Sequence, residues 1–144
     1  GTAVTAVDVS LEAISVARLN ADKNCVQIDL RHGSLFDPVA AERFNLIVSN
    51  PPYIPTSDMA TLQPEVREFE PALALDGGSD GLDFYSLITS QAPEHLHAGG
   101  WLMVEVGIGQ APEVKGLFES RGFAEIFTAR DTQEIERVVG GKIE

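Results

Sequence analysis

Basic side chains are scarce in this chain: ten Lys and Arg stand against 22 Asp and Glu over 144 residues, a formal net charge of −12. Sequence-independent affinity for nucleic acid comes from basic groups that displace phosphate counterions, so a direct RNA or DNA partner is disfavoured for this segment. Cysteine is nearly absent, and Cys25 alone cannot close an internal disulfide. No apolar stretch is long enough to cross a bilayer, and no charged-then-apolar leader opens the chain. The expectation is a soluble, cytoplasmic protein with no membrane association. His32, His95 and His97 lack the Cys or carboxylate spacing of a zinc site, so structural or solvated roles are expected for them and no metal is assigned.

What the chain does contain is enough apolar material, 44% of residues, to bury one core, and a single domain over residues 1–144 is the expectation. Strand-like and helix-like segments alternate. Residues 3–9 form a short β-rich run. Ser10 is then a candidate helix N-cap, and Leu11, Ile14, Ala17, Arg18 and Ala21 carry helical spacing as far as Lys23. Val26, Ile28 and Leu30 alternate toward Arg31, and Phe44–Ser49 reads as a buried strand. Residues 82–96 read as an amphipathic helix capped by Ser79 or Asp80 and disturbed near its end by Pro93. Gly99-Gly100 predicts a turn into a buried strand over residues 101–106. A helix over residues 112–120 closes at Gly122, and residues 123–129 and 135–140 give two final strands with no helix between them. This pattern predicts an α/β domain with a mostly parallel sheet and a C-terminal antiparallel hairpin.

Asn50-Pro51-Pro52-Tyr53-Ile54 follows the strand Phe44–Ser49 directly. Two prolines cannot extend a ladder, so a carboxamide and bare carbonyls are held at the strand's end. An amide or exocyclic NH2 group carries two donors, which the Asn50 side-chain oxygen and the Pro51 carbonyl can accept together. Tyr53 can lay its ring against a flat substrate group. Alignment of this kind suits transfer of an already activated group. The plain alternative is a strand terminator with Tyr53 as half-buried packing.

Ligands of open α/β sheets sit beyond the carboxyl ends of the strands, and three such ends are informative. Asp8 closes the first strand, where a carboxylate commonly accepts from the ribose of a nucleoside cofactor; its alternative is an N-cap for the helix at Ser10. Gly33-Ser34-Leu35-Phe36 closes the next, where Gly33 permits close approach and Leu35 either flanks an adenine ring or is simply packed. Asn50 closes the third, and the three are expected to line one crevice. Glu105, in an otherwise apolar strand, is either a site carboxylate or a structural one. Residues 55–81 form a long connection, expected as a substrate-facing lid or as a cover for the sheet edge.

In this order, Val7-Asp8-Val9-Ser10, Gly33-Ser34-Leu35-Phe36, Ser49-Asn50-Pro51-Pro52-Tyr53-Ile54, Glu70-Pro71-Ala72-Leu73-Ala74-Leu75-Asp76-Gly77-Gly78 and Asp80-Gly81-Leu82 resemble the peptide-chain release factor glutamine N5-methyltransferases, the HemK family. Asn-Pro-Pro-Tyr alone is shared with adenine and other amino-group methyltransferases. Leu62-Gln63-Pro64-Glu65-Val66-Arg67, Glu105-Val106-Gly107 with Gln110, and Arg137-Val138-Val139-Gly140 extend the resemblance over essentially the whole chain. It implies a class I, Rossmann-like methyltransferase fold that uses S-adenosylmethionine, with the glutamine of a release factor's Gly-Gly-Gln loop as acceptor. By position, Asp8 would bind the cofactor ribose and Leu35 would sit beside the adenine. Asn50, Pro51, Pro52 and Tyr53 would hold the glutamine amide, with Asn50 also bordering the cofactor.

The chain departs from the family in lacking the first strand with its acidic, Gly-rich loop and the N-terminal helical domain. This predicts poor cofactor affinity, an inactive fragment of an active parent enzyme, and, at the exposed strand edges, either self-association or distortion around the gap. The competing functions are amino-group methylation of a nucleic-acid base, methylation of a ribosomal-protein glutamine, and a non-catalytic binding module.

Overall fold

Ser10 starts the first helix as its residue type dictates: its hydroxyl accepts the Ala13 N–H at 3.1 Å, and α1 runs over Leu11–Lys23. The helix ends in a reciprocal cap, Val26 donating to the Ala21 carbonyl and Cys25 to that of Asp22, with Cys25 at φ +55° where glycine is usual. That cap takes Val26 out of the strand its alternation predicted. Pairing begins only at Asp29.

In the computed structural model, which describes residues 1–144, the chain divides into two compact units, residues 1–42 and 43–144. The first holds β1 (Thr5–Asp8), α1 and β2 (Asp29–His32); the strands pair in parallel, Thr5 opposite Asp29 and Asp8 opposite His32. Arg31 ties the unit's end together through Asp29 at 2.7 Å, the Pro38 carbonyl at 2.9 Å and Glu42. Its buried apolar side chains are Ile14, Ala21 and Val39. Leu11, Val16 and Leu19 of α1 are exposed.

The second unit is a four-stranded sheet in the order β3 (Phe44–Ser49), β4 (Leu96–Glu105), β6 (Glu136–Lys142), β5 (Ala124–Arg130). β3 and β4 are parallel, while β6 runs antiparallel to both β4 and β5, which is the C-terminal hairpin read from the sequence. Leu102, Val104 and Val139 of the sheet, Tyr85 and Ile88 of α3 (Asp83–Gln91), and Val114 and Phe118 of α4 (Ala111–Ser120) form its core.

Several expectations are corrected here. β3 is not a buried strand: it is an edge, paired on one side only, and Leu46 and Val48 on one face are 50% and 69% exposed. Gly99-Gly100 is not a turn before β4 but lies within it. Gly99 at φ +77° forms an irregularity across which the register jumps from Phe44 opposite Leu96 to Leu46 opposite Trp101. α3 stops at Gln91, because Pro93 has no N–H to donate, and Ala92–His95 continues as a 3-10 turn. Neither Ser79 nor Asp80 is the N-cap, which is Leu82; Asp80 instead accepts the Leu82 N–H at 2.9 Å in a side-chain turn. The long connection over residues 55–81 contains 3-10 turns at Thr56–Thr61 and Ala72–Ala74 and the short helix α2 (Pro64–Phe69).

Candidate active site

β3 ends at Ser49 as the prolines require, and Asn50 is exposed with no hydrogen bond from its side chain to the protein. The Pro51 carbonyl is likewise unengaged by the protein. Pro51 itself is buried and Pro52 and Tyr53 are half-buried, so the backbone is anchored while the amide side chain is presented outward.

The anchoring partners are residues 75–78. Ile54 donates to the Leu75 carbonyl at 2.9 Å, Gly77 to the Ile54 carbonyl at 2.8 Å, and Thr56 to the Gly78 carbonyl at 2.8 Å. Asp76 braces the same turn by accepting the Thr56 hydroxyl at 2.7 Å and the Gly78 N–H at 3.0 Å, and these bonds hold its carboxyl below the usual carboxylate range. A Cβ at Gly77 would lie 2.7 Å from the Tyr53 Cα and 2.9 Å from the Pro52 oxygen. Only glycine fits there.

Tyr53 is held at both ends. Its hydroxyl donates to Glu105 Oε1 at 3.4 Å, and its carbonyl accepts from Gln110 Nε2 at 3.0 Å. Burial, and then the neighbouring Glu105 charge, push the phenol above its ordinary pKa. Glu105 ends β4, and its backbone carbonyl accepts the hydroxyl of the fully buried Tyr85 at 2.9 Å. Glu105 is thus a half-buried, hydrogen-bonded carboxylate, a position that suits either of the two roles read for it from the sequence. Gln110, ahead of α4, also receives the Gly107 N–H at 3.0 Å. Tyr53, Ile54, Pro55, Gly107 and Gln110 line an open cleft of ≈ 470 Å³ with Asp58, Asp80 and Glu113 among its walls. Beyond its place in a family-like motif, Gln110 carries no signal in the sequence: its amide nitrogen donates to the carbonyls of Tyr53 and Gly81, contacts that no local pattern encodes.

The other sequence-predicted residues belong to the first unit. Asp8, exposed at the carboxyl end of β1, accepts the Ser10 N–H through Oδ1 at 2.7 Å. Ser10, not Asp8, caps α1. Gly33 donates to the Asp8 carbonyl at 3.0 Å, bringing the ends of β1 and β2 side by side, and Leu35 is half-buried at φ +47°. The structure thus joins Asp8 with the Gly33 loop, and Tyr53 with Glu105 and Gln110. No group of three His, Cys, Asp or Glu side chains is arranged to hold a metal ion.

The profile of the methyltransferase small domain family matches residues 1–78. The release factor glutamine methyltransferase of Geobacter sulfurreducens is 59% identical over 140 residues, 97% of this chain and 49% of that protein. The release factor glutamine methyltransferase of Gloeobacter violaceus is 46% identical over 143 residues, 96% and 50% respectively. The chain spans about half the length of the curated relatives it matches. Among solved structures, the release factor-specific protein-(glutamine-N5) methyltransferase of Alicyclobacillus acidocaldarius is 27% identical with a TM-score of 0.55, over 99% of this chain and 80% of that one. The Thermus thermophilus 16S rRNA N2 G1207 methyltransferase, solved with AdoMet and guanosine, shares the fold at a TM-score of 0.66 and 16% identity, over 100% of this chain and 32% of that one.

Proposed function

Because the chain belongs to the methyltransferase small domain family, we propose that it supplies the acceptor-binding face of an S-adenosylmethionine-dependent enzyme that methylates glutamine N5 in the Gly-Gly-Gln loop of a peptide-chain release factor. The observation that carries this reading is Asn50. It is a carboxamide free of internal hydrogen bonds, at the carboxyl end of a parallel strand, on a loop whose backbone is fixed by Pro51, Pro52 and the Tyr53 anchors.

An amide nitrogen is a poor nucleophile because its lone pair is delocalised into the carbonyl. Asn50 Oδ1 and the Pro51 carbonyl accept its two hydrogens and so set the direction in which the lone pair points. Tyr53 confines the plane of the acceptor from the side, and Pro52 keeps the backbone from competing as a donor. The gain is one of orientation, which removes the need for a strong base before transfer, and the proton leaves afterwards. S-adenosylmethionine, when bound, supplies the activated methyl group. Asp8 fits its ribose, since one carboxylate oxygen is taken by Ser10 while the exposed side chain leaves the other for a hydroxyl, and half-buried Leu35 fits as the apolar neighbour of its adenine. The net charge of −12 favours a protein acceptor over a nucleic-acid one. The proposed place of action is the cytoplasm, alongside the release factor; no helix is long and apolar enough to cross a membrane.

The test is mass spectrometry of a release factor incubated with the cofactor and the full-length protein carrying this chain. A single methyl on the Gly-Gly-Gln glutamine is expected, and Asn50→Ala is expected to slow turnover by about 10²–10³-fold, the range for losing one positioned polar group at a reacting centre. Methylation confined to RNA or DNA, or an Asn50→Ala variant as fast as the parent, would end this reading.

A further inference from the structure

A glutamine side chain offers two N–H donors and an oxygen with two lone pairs, and Gln110 uses both donors and one lone pair. Its oxygen accepts from the Gly107 N–H at 3.0 Å and lies 3.4 Å from the Tyr85 hydroxyl, whose one proton goes to the nearer Glu105 carbonyl at 2.9 Å; its nitrogen donates to the carbonyls of Tyr53 at 3.0 Å and Gly81 at 3.5 Å. These groups lie after β4, on α3, after β3 and before α3. The amide has only one workable orientation, because a flipped group would face its NH2 to the Gly107 N–H and its oxygen to two carbonyls.

The surroundings allow no slack. A Cβ at Gly81 would collide with the Tyr53 oxygen and lie 2.7 Å from Gln110 Nε2, and one at Gly107 would lie 2.6 Å from Gln110 Oε1 and 3.0 Å from Tyr53 Cδ2. Asn50, by contrast, has no side-chain bond of its own, so its placement is inherited from the loop that the Tyr53 carbonyl anchors. We propose that Gln110 is a positioning residue, clamping residues 50–53 so that the Asn50 carboxamide and the Pro51 carbonyl face the acceptor nitrogen together. The proposal rests on the methyltransferase reading above.

Gln110→Glu keeps the side-chain size and the acceptor for the Gly107 N–H but turns an anionic oxygen toward the Tyr53 and Gly81 carbonyls. Gly81→Ala disturbs the same clamp from the opposite side and leaves Gln110 intact. In the full-length protein, both variants are expected to lower kcat for release-factor methylation 10-fold to 100-fold per folded molecule, with the KM for S-adenosylmethionine within twofold of the parent. Both should also shift or broaden the NMR signals of the Tyr53 amide and the Asn50 side-chain NH2. A purely structural role would lower the melting temperature and leave kcat per folded molecule unchanged, which overturns the proposal. Should the parent protein methylate no glutamine at all, the functional reading fails by itself; the NMR signals still decide whether Gln110 holds the loop, and unperturbed Tyr53 and Asn50 signals in both variants refute it.

Discussion

Tyr53 and Tyr85 are the only tyrosines in the chain, and both phenols are pushed above their ordinary pKa, chiefly by burial. The sign of the linked stability follows. A raised folded-state pKa favours the neutral phenol, so its contribution is fully present below the unfolded value of about 10 and is lost as pH rises through the folded one. Alkaline titration of the native protein should therefore show no phenolate absorbance step at about pH 10, the step appearing at higher pH or with loss of the circular dichroism signal. A step at the ordinary value in folded protein would contradict the burial of both rings. At this scale the sequence is most legible where chemistry is local. The two prolines declare the end of β3 through residue type alone, whereas Asp8 and Ser10 compete on paper for one cap and only the hydrogen bonds separate them. Gln110 lies beyond such reading because the carbonyls its amide nitrogen donates to, those of Tyr53 and Gly81, come from other segments.

Secondary structure is legible in kind and less so in extent. Apolar runs between turn residues identify the strands of the four-stranded sheet and the final hairpin, whereas the helix read over residues 82–96 ends at Gln91, two residues before the Pro93 expected to disturb it. The early start of β4 is not visible, because Gly99 can serve equally as a turn or as an irregularity within a strand and the choice depends on β3 and β6. Two glycines make a contrast that tests this picture. Gly141 on β6 faces Phe118 and Phe123, where a Cβ would lie 2.7 Å from Phe118 Cδ1 and 3.1 Å from Phe123 Cβ. Gly141→Ala should cost about 1–3 kcal/mol in denaturant unfolding, the usual range for overpacking a core. Gly116 lies within α4, where an added methyl would meet nothing within 4 Å, and Gly116→Ala should raise stability by about 0.4–1 kcal/mol. Equal effects of the two would mean that the aromatic pair is not seated against β6.

The division into residues 1–42 and 43–144 has no herald in composition, since no Pro-rich, Gly-rich or Ser-rich linker separates the halves. Burial distinguishes them: the first unit buries Ile14, Ala21 and Val39 over two strands, whereas the second has a sheet with helices α3 and α4 packed on it. The exposure of β3 is hidden from the sequence for the same reason. An apolar hexapeptide reads as buried, but burial depends on what lies on each side of it. With one ladder edge unpaired and Leu46 and Val48 open to solvent, β3 is suited to pairing with a second copy of the chain, against the repulsion of twelve net negative charges. Sedimentation velocity should show association that grows with concentration and with salt, and Val48→Lys should suppress it. A strictly monomeric chain at high salt would rule this out.

The glycines that crowd Tyr53 bear on how portable this chemistry is. With Gly77, Gly81 and Gly107 each within van der Waals reach of the loop and Gln110 bridging two of them, the tetrapeptide derives its shape from two distant stretches of chain. Grafting Asn-Pro-Pro-Tyr alone onto another scaffold would transfer the letters without the geometry. A transplant would have to carry the mould as well as the cast.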